Sequence, residues 1–209
     1  MKILLADDHA FVRKGLYAII EEAYPKATIE EVTNGTDVIK NVIKHKYDII
    51  ISDITMPDMN GIEVLHSLKE QGVKTPVIIL SVHTAEIYAI RCFKEGAYAY
   101  LNKDSTPKTL VEAINHILTT NQKYITPEVA ILLADIVGNE NSGPLHDKLS
   151  NREFEILKLI VVGKAGTEIA EMLHLSAGSV STFRNRILTK LNLETNADLI
   201  KYAMENDIN

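Results

Sequence analysis

From residue 2 to about residue 119, short apolar runs alternate with longer amphipathic stretches: KILLA, FVRKGLYAII, TIEEV, TDVIKNVIK, DIIIS, GIEVLHSLKE, PVIILS, AEIYAIRCFKE, AYAYL and PKTLVEAINHIL. The alternation predicts five strand–helix units. Connections of this length imply βαβ crossovers in a parallel, doubly wound sheet with helices on both faces, an α/β fold. The isoleucines at 49–51 are followed by Ser52, a run apolar on both parities, which suits a strand covered on both sides. In the first helix Phe11, Val12, Leu16, Ile19 and Ile20 are expected on one buried face, with Pro25 closing the turn after it.

Residues 120–149 break this rhythm. TPEVAILLADIVG offers Thr126 as an N-cap, Pro127 at the first helical position and Gly138 as a stop, so a short helix is expected inside a connection whose flexible part is GNENSGP. Beyond residue 149 the strand pattern ends and four helical segments follow, at about 151–162, 167–174, 177–192 and 196–206. The expected organisation is an α/β domain at 1–119, a linker at 120–147 and a small all-α domain at 148–209.

Charge follows the same division. The chain of 209 residues carries a formal net charge of −6. Residues 150–209 hold seven Lys+Arg and eight Asp+Glu, net −1, so the acidity belongs to the first 149 residues. One cysteine, Cys92, excludes an internal disulfide framework and is expected as a small buried apolar residue. MKILLADD meets two aspartates after four apolar residues, far short of a secretory core. No uncharged apolar run approaches a membrane span, so a cytoplasmic protein is expected.

In a parallel sheet the carboxyl ends of all strands face one edge, where ligands bind. Strand one ends in Asp7-Asp8, strand three in Asp53 and strand four in Ser81, and strand five is followed by Lys103. Three carboxylates crowded together repel unless a hard cation and an ammonium neutralise them, and an oxygen-rich site of this kind suits Mg²⁺. A carboxylate held beside such a cation and a lysine can attack a phosphoryl donor. Asp53, central in the set, is the expected nucleophile, with Asp7 and Asp8 on the metal, Lys103 balancing phosphoryl oxygens and Ser81 donating a hydrogen bond.

These residues, with DITMPDMNG, PVIILS and YLNKD around them, resemble the flavodoxin-like receiver domain of two-component response regulators over residues 2 to about 119. The resemblance implies that Asp53 takes its phosphoryl group from a cognate histidine kinase. It also implies that the backbone carbonyl of Thr55 completes the metal sphere and that Tyr100 is an aromatic switch working with Ser81. His9 and His83 flank the pocket. His83 is read either as a modulator of the phosphoryl lifetime or as a solvated side chain.

GTEIAEMLHLSAGSVSTFRNRILTKL reads as helix, turn, helix. On the second helix Val180, Phe183, Ile187 and Leu191 form an inward stripe, leaving Gly178, Thr182, Asn185 and Thr189 outside, flanked by Ser181 and Arg186. Residues 176–191 contain Arg184, Arg186 and Lys190 and no acid. With Ser176 as N-cap, this face suits either DNA reading or plain solvation.

LSNREFEILKLI and the helix pair after it are similar to the four-helix LuxR-type helix-turn-helix domain of the NarL/FixJ branch of response regulators, over residues 148 to about 206. That resemblance implies duplex DNA as a partner, contacted through Ser179, Ser181, Thr182, Arg184, Asn185, Arg186 and Lys190, with Lys164 and Thr167 nearby. It departs at Gly166 and at Gly178, where the family often places a lysine. Weak intrinsic DNA affinity is therefore expected, and with it a homodimer when phosphorylated, for which Leu199, Ile200, Tyr202 and Ala203 are candidate contacts. The reading is a phosphorylation-activated transcriptional regulator without general enzymatic turnover or a membrane partner. The alternative is a phospho-signalling adaptor whose output domain binds a protein.

Overall fold

The structure is a computed structural model and describes residues 1–104, 107–138, 144–173, 175–206 and 208. It divides into two compact units, Met1–Ala134 and Asp135–Asn209. In the first unit the elements are β1 (Lys2–Ala6), α1 (Ala10–Ala23), β2 (Thr28–Val32), α2 (Gly35–Lys44), β3 (Ile49–Asp53), α3 (Gly61–Glu70), β4 (Val77–Ser81), α4 (Ala85–Glu95), β5 (Ala99–Asn102) and α5 (Pro107–Thr120). The expected five strand–helix units are all present.

The sheet order is β2-β1-β3-β4-β5, every pair parallel. This is the flavodoxin-like winding, whose strand order reverses at β1 and β3. Every residue of β3 and β4 is buried, as their apolar composition requires, whereas β2 at the edge carries half-exposed Glu30 and exposed Glu31. Ile3, Leu5, Ile49, Ile51, Ile78 and Leu101 pack against Ala113, Ile114 and Ile117 of α5 in one continuous core. Ala6 pairs with Ser52, so the next residues, Asp7 and Asp53, leave their strands side by side.

One helix face differs from expectation: Phe11 is 92% exposed while Ile20 is fully buried. Nine residues at about 100° each put the two side chains on opposite sides of α1, so Phe11 does not belong to the stripe of Leu16 and Ile19. Cys92 is buried, and that burial pushes its thiol well above the ordinary range.

The connection contains α6 (Pro127–Gly138), beginning as expected at Pro127; the expected flexible residues 139–143 lie outside the described residues. The second unit continues with a 3₁₀ turn (Leu145–Lys148), α7 (Asn151–Val161), α8 (Gly166–Met172), α9 (Ala177–Leu191) and α10 (Asn196–Glu205). Ser150 and Glu153 form a capping box on α7, Ser176 caps α9, and Thr195 and Asp198 cap α10. Both α8 and α10 pack on α7, and α9 packs across α7 and α8. Leu199 and Ala203 are buried in this unit and the Tyr202 hydroxyl bonds to His146 Nδ1 at 3.0 Å. Three of the four candidate dimer residues are thus engaged in the unit's own packing.

Candidate functional site

The turn after β1 carries Asp7, Asp8 and His9. Asp7 is fully buried, and its Oδ1 accepts the backbone N–H of His9 at 2.8 Å. Arg13, one turn into α1, donates through Nη1 to the Asp7 carbonyl at 2.8 Å and through Nε to Glu31 at 2.8 Å. A guanidinium on the helix therefore ties the end of β1 to β2 and fixes the direction in which the acid pair leaves the sheet.

Asp53 closes β3, and its backbone is crowded by the start of α3. A Cβ on Gly61 would stand 2.7 Å from the Asp53 carbonyl oxygen and 2.9 Å from Ile54 Cα, so only glycine permits this approach. Asn60 and Glu63 cap α3 reciprocally and hold the loop that follows Asp53. Lys103, reaching back from beyond β5, places Nζ 2.7 Å from Asp53 Oδ2 and 2.8 Å from Asp7 Oδ2. Its backbone N–H bonds to the Ser81 carbonyl at 2.7 Å, which anchors the lysine to β4.

One ammonium thus faces two buried carboxylates, with Asp8 exposed beside them. Burial pushes the Asp53 carboxyl above the ordinary aspartate range; Lys103 opposes the rise, Asp7 adds to it, and the Thr55 backbone N–H opposes it. Burial works against the Lys103 charge, yet Asp53 and Asp7 outweigh it and raise the ammonium above its usual value. Asp7 Oδ2 is buried, and its partner is the Lys103 ammonium. Ligand oxygens or nitrogens of Asp7, Asp8, His9 and Asp53 all lie within 4.8 Å of one another. A surplus of carboxylates over cations, two of them buried, is a donor set that fits a small divalent cation.

Ser81 stands one residue past Leu80, the register partner of Asp53, on the same edge, and its Oγ accepts the His83 N–H at 2.9 Å. Tyr100 is buried, with its hydroxyl donating to the carbonyls of His83 and Thr84 at 3.0 and 3.2 Å. Burial raises the phenol pKa. The tyrosine therefore holds the loop after β4. The His83 ring packs 5.2 Å from Tyr88, centroid to centroid. Thr55 is exposed beside Asp53. Sequence reasoning placed the acids, the lysine and the serine at one edge; it missed Arg13, a lone basic residue whose role depends on a backbone carbonyl.

In the second unit α9 exposes Ser181, Thr182, Asn185, Arg186, Thr189 and Lys190. Thr182, Asn185, Arg186, Thr189 and Lys190 line one open hollow. Val180, Ile187 and Leu191 are buried as expected, together with Leu188, while Phe183 is half-buried under the Arg186 guanidinium, 5.9 Å from its ring. Three of the expected contact residues are tied elsewhere. Ser179 pairs with Ser176 in the cap at 2.8 Å, Arg184 Nε donates to Asn196 at 2.6 Å, and Lys190 Nζ lies 2.6 Å from the buried Glu153. Lys164 and Thr167 are exposed, Lys164 lying 3.4 Å from Glu168. Nothing lies within 4 Å of a Cβ built on Gly166, and only Ser176 Oγ, at 3.8 Å, approaches one on Gly178.

A flavodoxin-like unit with an acid-and-lysine pocket at its sheet edge, joined in one chain to a helix-turn-helix unit, defines the class. Residues 3–115 match the response regulator receiver domain and residues 147–203 match the bacterial regulatory proteins of the luxR family. The chain is 30% identical over 210 residues to response regulator UvrY of Escherichia coli strain K12, covering 100% of this chain and 95% of the relative. It is 31% identical over 212 residues to oxygen regulatory protein NreC of Staphylococcus carnosus strain TM300, covering 98% and 97%. Among solved structures, RcsB from Salmonella enterica serovar Typhimurium, bound to promoter rprA in the presence of the phosphomimetic BeF3−, is similar at a TM-score of 0.67 and 25% identity, with 98% of both chains covered. The chain belongs to the response regulator family, with a receiver domain followed by a LuxR-family domain.

Proposed function

We propose that this chain is a phosphorylation-activated, DNA-binding transcriptional regulator of a two-component system that accepts a phosphoryl group on Asp53 from a histidine kinase. The observation that carries the reading is Lys103 Nζ held 2.7 Å from Asp53 and 2.8 Å from Asp7 at the carboxyl edge of the sheet. An Asp53 carboxylate oxygen attacks the phosphorus of a phosphohistidine; the new O–P bond forms as the P–N bond breaks, and the leaving imidazole keeps the electron pair and takes up a proton. Lys103 supplies positive charge to the phosphoryl oxygens. Asp7, Asp8, Asp53 and the Thr55 carbonyl would hold Mg²⁺, which when bound neutralises charge developing on the phosphoryl group. Ser81, whose Oγ accepts the His83 N–H, keeps its hydroxyl proton to donate to a phosphoryl oxygen, and Tyr100 follows the loop that it holds. The receiver carries out only its own phosphorylation and dephosphorylation.

The domain bounds in this reading are 1–119, 120–147 and 148–209, and the protein acts in the cytoplasm. Thr182 and Asn185 on α9 face base edges of duplex DNA, with Ser181 and Ser179 at the helix start. Arg184, Arg186, Lys190, Lys164 and Thr167 serve the phosphates, and phosphorylation favours a homodimer on paired half-sites. RcsB bound to a promoter supports this direction. The ion pairs of Lys190 with Glu153 and Lys164 with Glu168 favour a second reading, an adaptor whose output unit binds a protein. Selection from a randomised duplex pool, with the chain loaded with Mg²⁺ and a phosphoryl mimic beside an Asp53→Asn control, separates the two. Paired half-sites enriched only by the loaded chain are the expected result; no enrichment by a folded, loaded chain supports the adaptor.

A further inference from the structure

Asn185 stands on the exposed face of α9, and the two threonines beside it are committed to the helix itself. Thr182 Oγ1 donates to the Gly178 carbonyl and Thr189 Oγ1 to the Asn185 carbonyl, each at 3.0 Å. With their hydroxyl protons turned inward, both threonines offer a ligand an oxygen lone pair and a methyl group. Asn185 is therefore the uncharged proton donor among the described residues that line this hollow.

The amide of Asn185 is also set in one direction. Arg184 Nη1 donates to Asn185 Oδ1 at 3.3 Å, and a guanidinium has no acceptor, so the amide oxygen faces it and Nδ2 turns away. Arg184 is itself held, its Nε donating to Asn196 Oδ1 at 2.6 Å. Asn196 opens α10, whose start is fixed by the reciprocal cap of Thr195 and Asp198. A hydrogen-bonded chain thus runs from α10 through Arg184 to Asn185, and it leaves Arg184 Nη2 for the phosphate proposed as its partner. An asparagine reads adenine by accepting from N6 with its oxygen while donating to N7 with its nitrogen. Here the oxygen is engaged by Arg184. The remaining amino group, with two protons, matches the adjacent major-groove acceptors of guanine, O6 and N7, and meets the N6 amino group of adenine donor to donor.

We infer that Arg184 and Asn196 are positioning residues that hold Asn185 as a donor, so that α9 selects guanine over adenine at one position of each half-site. The inference rests on the proposed reading of α9 as the element that meets base edges, and takes it from duplex DNA as a class to one base. Arg184 acts here through Asn185, apart from any charge it gives to a phosphate.

The experiment is selection from a randomised duplex pool by the full chain, loaded with Mg²⁺ and a phosphoryl mimic, in the wild type, Asn185→Ala, Arg184→Met and Asn196→Ala, each shown to be folded by circular dichroism. Asn185→Ala marks the position concerned by flattening its base preference. The wild type is expected to enrich guanine over adenine there about fivefold, the scale of one hydrogen bond. Arg184→Met frees the amide to turn and brings adenine level with guanine, and Asn196→Ala moves the ratio part of the way. A purely electrostatic or structural role for either residue lowers affinity for every sequence alike and leaves the ratio where it was. Adenine favoured by the wild type, a ratio unmoved in either positioning variant, or no position that depends on Asn185 overturns the inference and leaves DNA reading standing. No enrichment by the folded, loaded wild type overturns the inference and the DNA reading together.

Discussion

Lys103 and Lys190 each meet a carboxylate at short range, 2.7 Å from Asp53 and 2.6 Å from Glu153, yet the two pairs sit in different surroundings. Lys103 is nearly buried and shared between two acids, in a pocket with more negative charge than it can cancel. Lys190 leans on a carboxylate already engaged in capping α7, and its neighbours Thr189, Asn185 and Arg186 are open to solvent. At the sheet edge, position is enforced by burial and charge, so each side chain is hard to replace. On α9 the contacts are weak and screened by salt, so affinity can be adjusted one residue at a time.

The largest expected effects are in the receiver. Asp53→Asn removes the nucleophile, and intact-mass measurement with a small phosphodonor and Mg²⁺ should show no gain of a phosphoryl group. Lys103→Ala should slow phosphorylation by roughly 100-fold, the scale for loss of one preorganised charge. It should also lower stability by about 3 kcal/mol in urea, because Asp7 and Asp53 lose their shared cation. Unchanged stability would mean that the pair carries little of the electrostatic load assigned to it.

Gly61→Ala comes next. Its methyl must displace the Asp53 backbone, at a cost of about 1–3 kcal/mol, and should slow phosphorylation while the surface of α9 keeps its hydrogen-exchange pattern. A variant that folds and phosphorylates as the wild type does would show that the close approach does not position the acceptor.

On the other side of the comparison, Glu153→Gln should cost about 1 kcal/mol, read by hydrogen exchange of α7 and α9 amides in the full chain. Burial raises the Glu153 carboxyl, but Lys190 and Ser150 outweigh it, so its native pKa is below the ordinary 4.5. The stabilisation is complete above about pH 4.5 and is lost as pH falls through the lower native value. The Gln variant should lack this acid-side decline. The smallest effect belongs to Gly178→Lys: the space is open, the helix gains about 0.5 kcal/mol, and the salt dependence of DNA binding steepens by about one phosphate. No change in salt dependence would place Gly178 away from the phosphates.

Much of this was legible because strand ends are a local property. Apolar runs marked β1, β3 and β4, parallel pairing brought their carboxyl ends together, and Asp7, Asp53 and Lys103 then had to converge. The helix-turn-helix was legible for a similar reason, with Val180, Ile187 and Leu191 defining which side of α9 is outside. Phe11 was misplaced because an apolar residue in the first turn reads as core until its angle from Ile20 is counted.

What the chain's own pattern determined is therefore the set of elements, their order and the identity of the residues at the sheet edge, since each follows from periodicity and strand direction. Only the tertiary structure decided which partner each long side chain takes. Arg13 bonds the Asp7 carbonyl just past β1, Lys190 bonds Glu153 of α7, Arg184 bonds Asn196, and the His9 imidazole turns to the acids. Flexible charged side chains reach 5 Å or more in many directions, by order of magnitude, and the choice among partners depends on burial and on competing hydrogen bonds that no local pattern encodes.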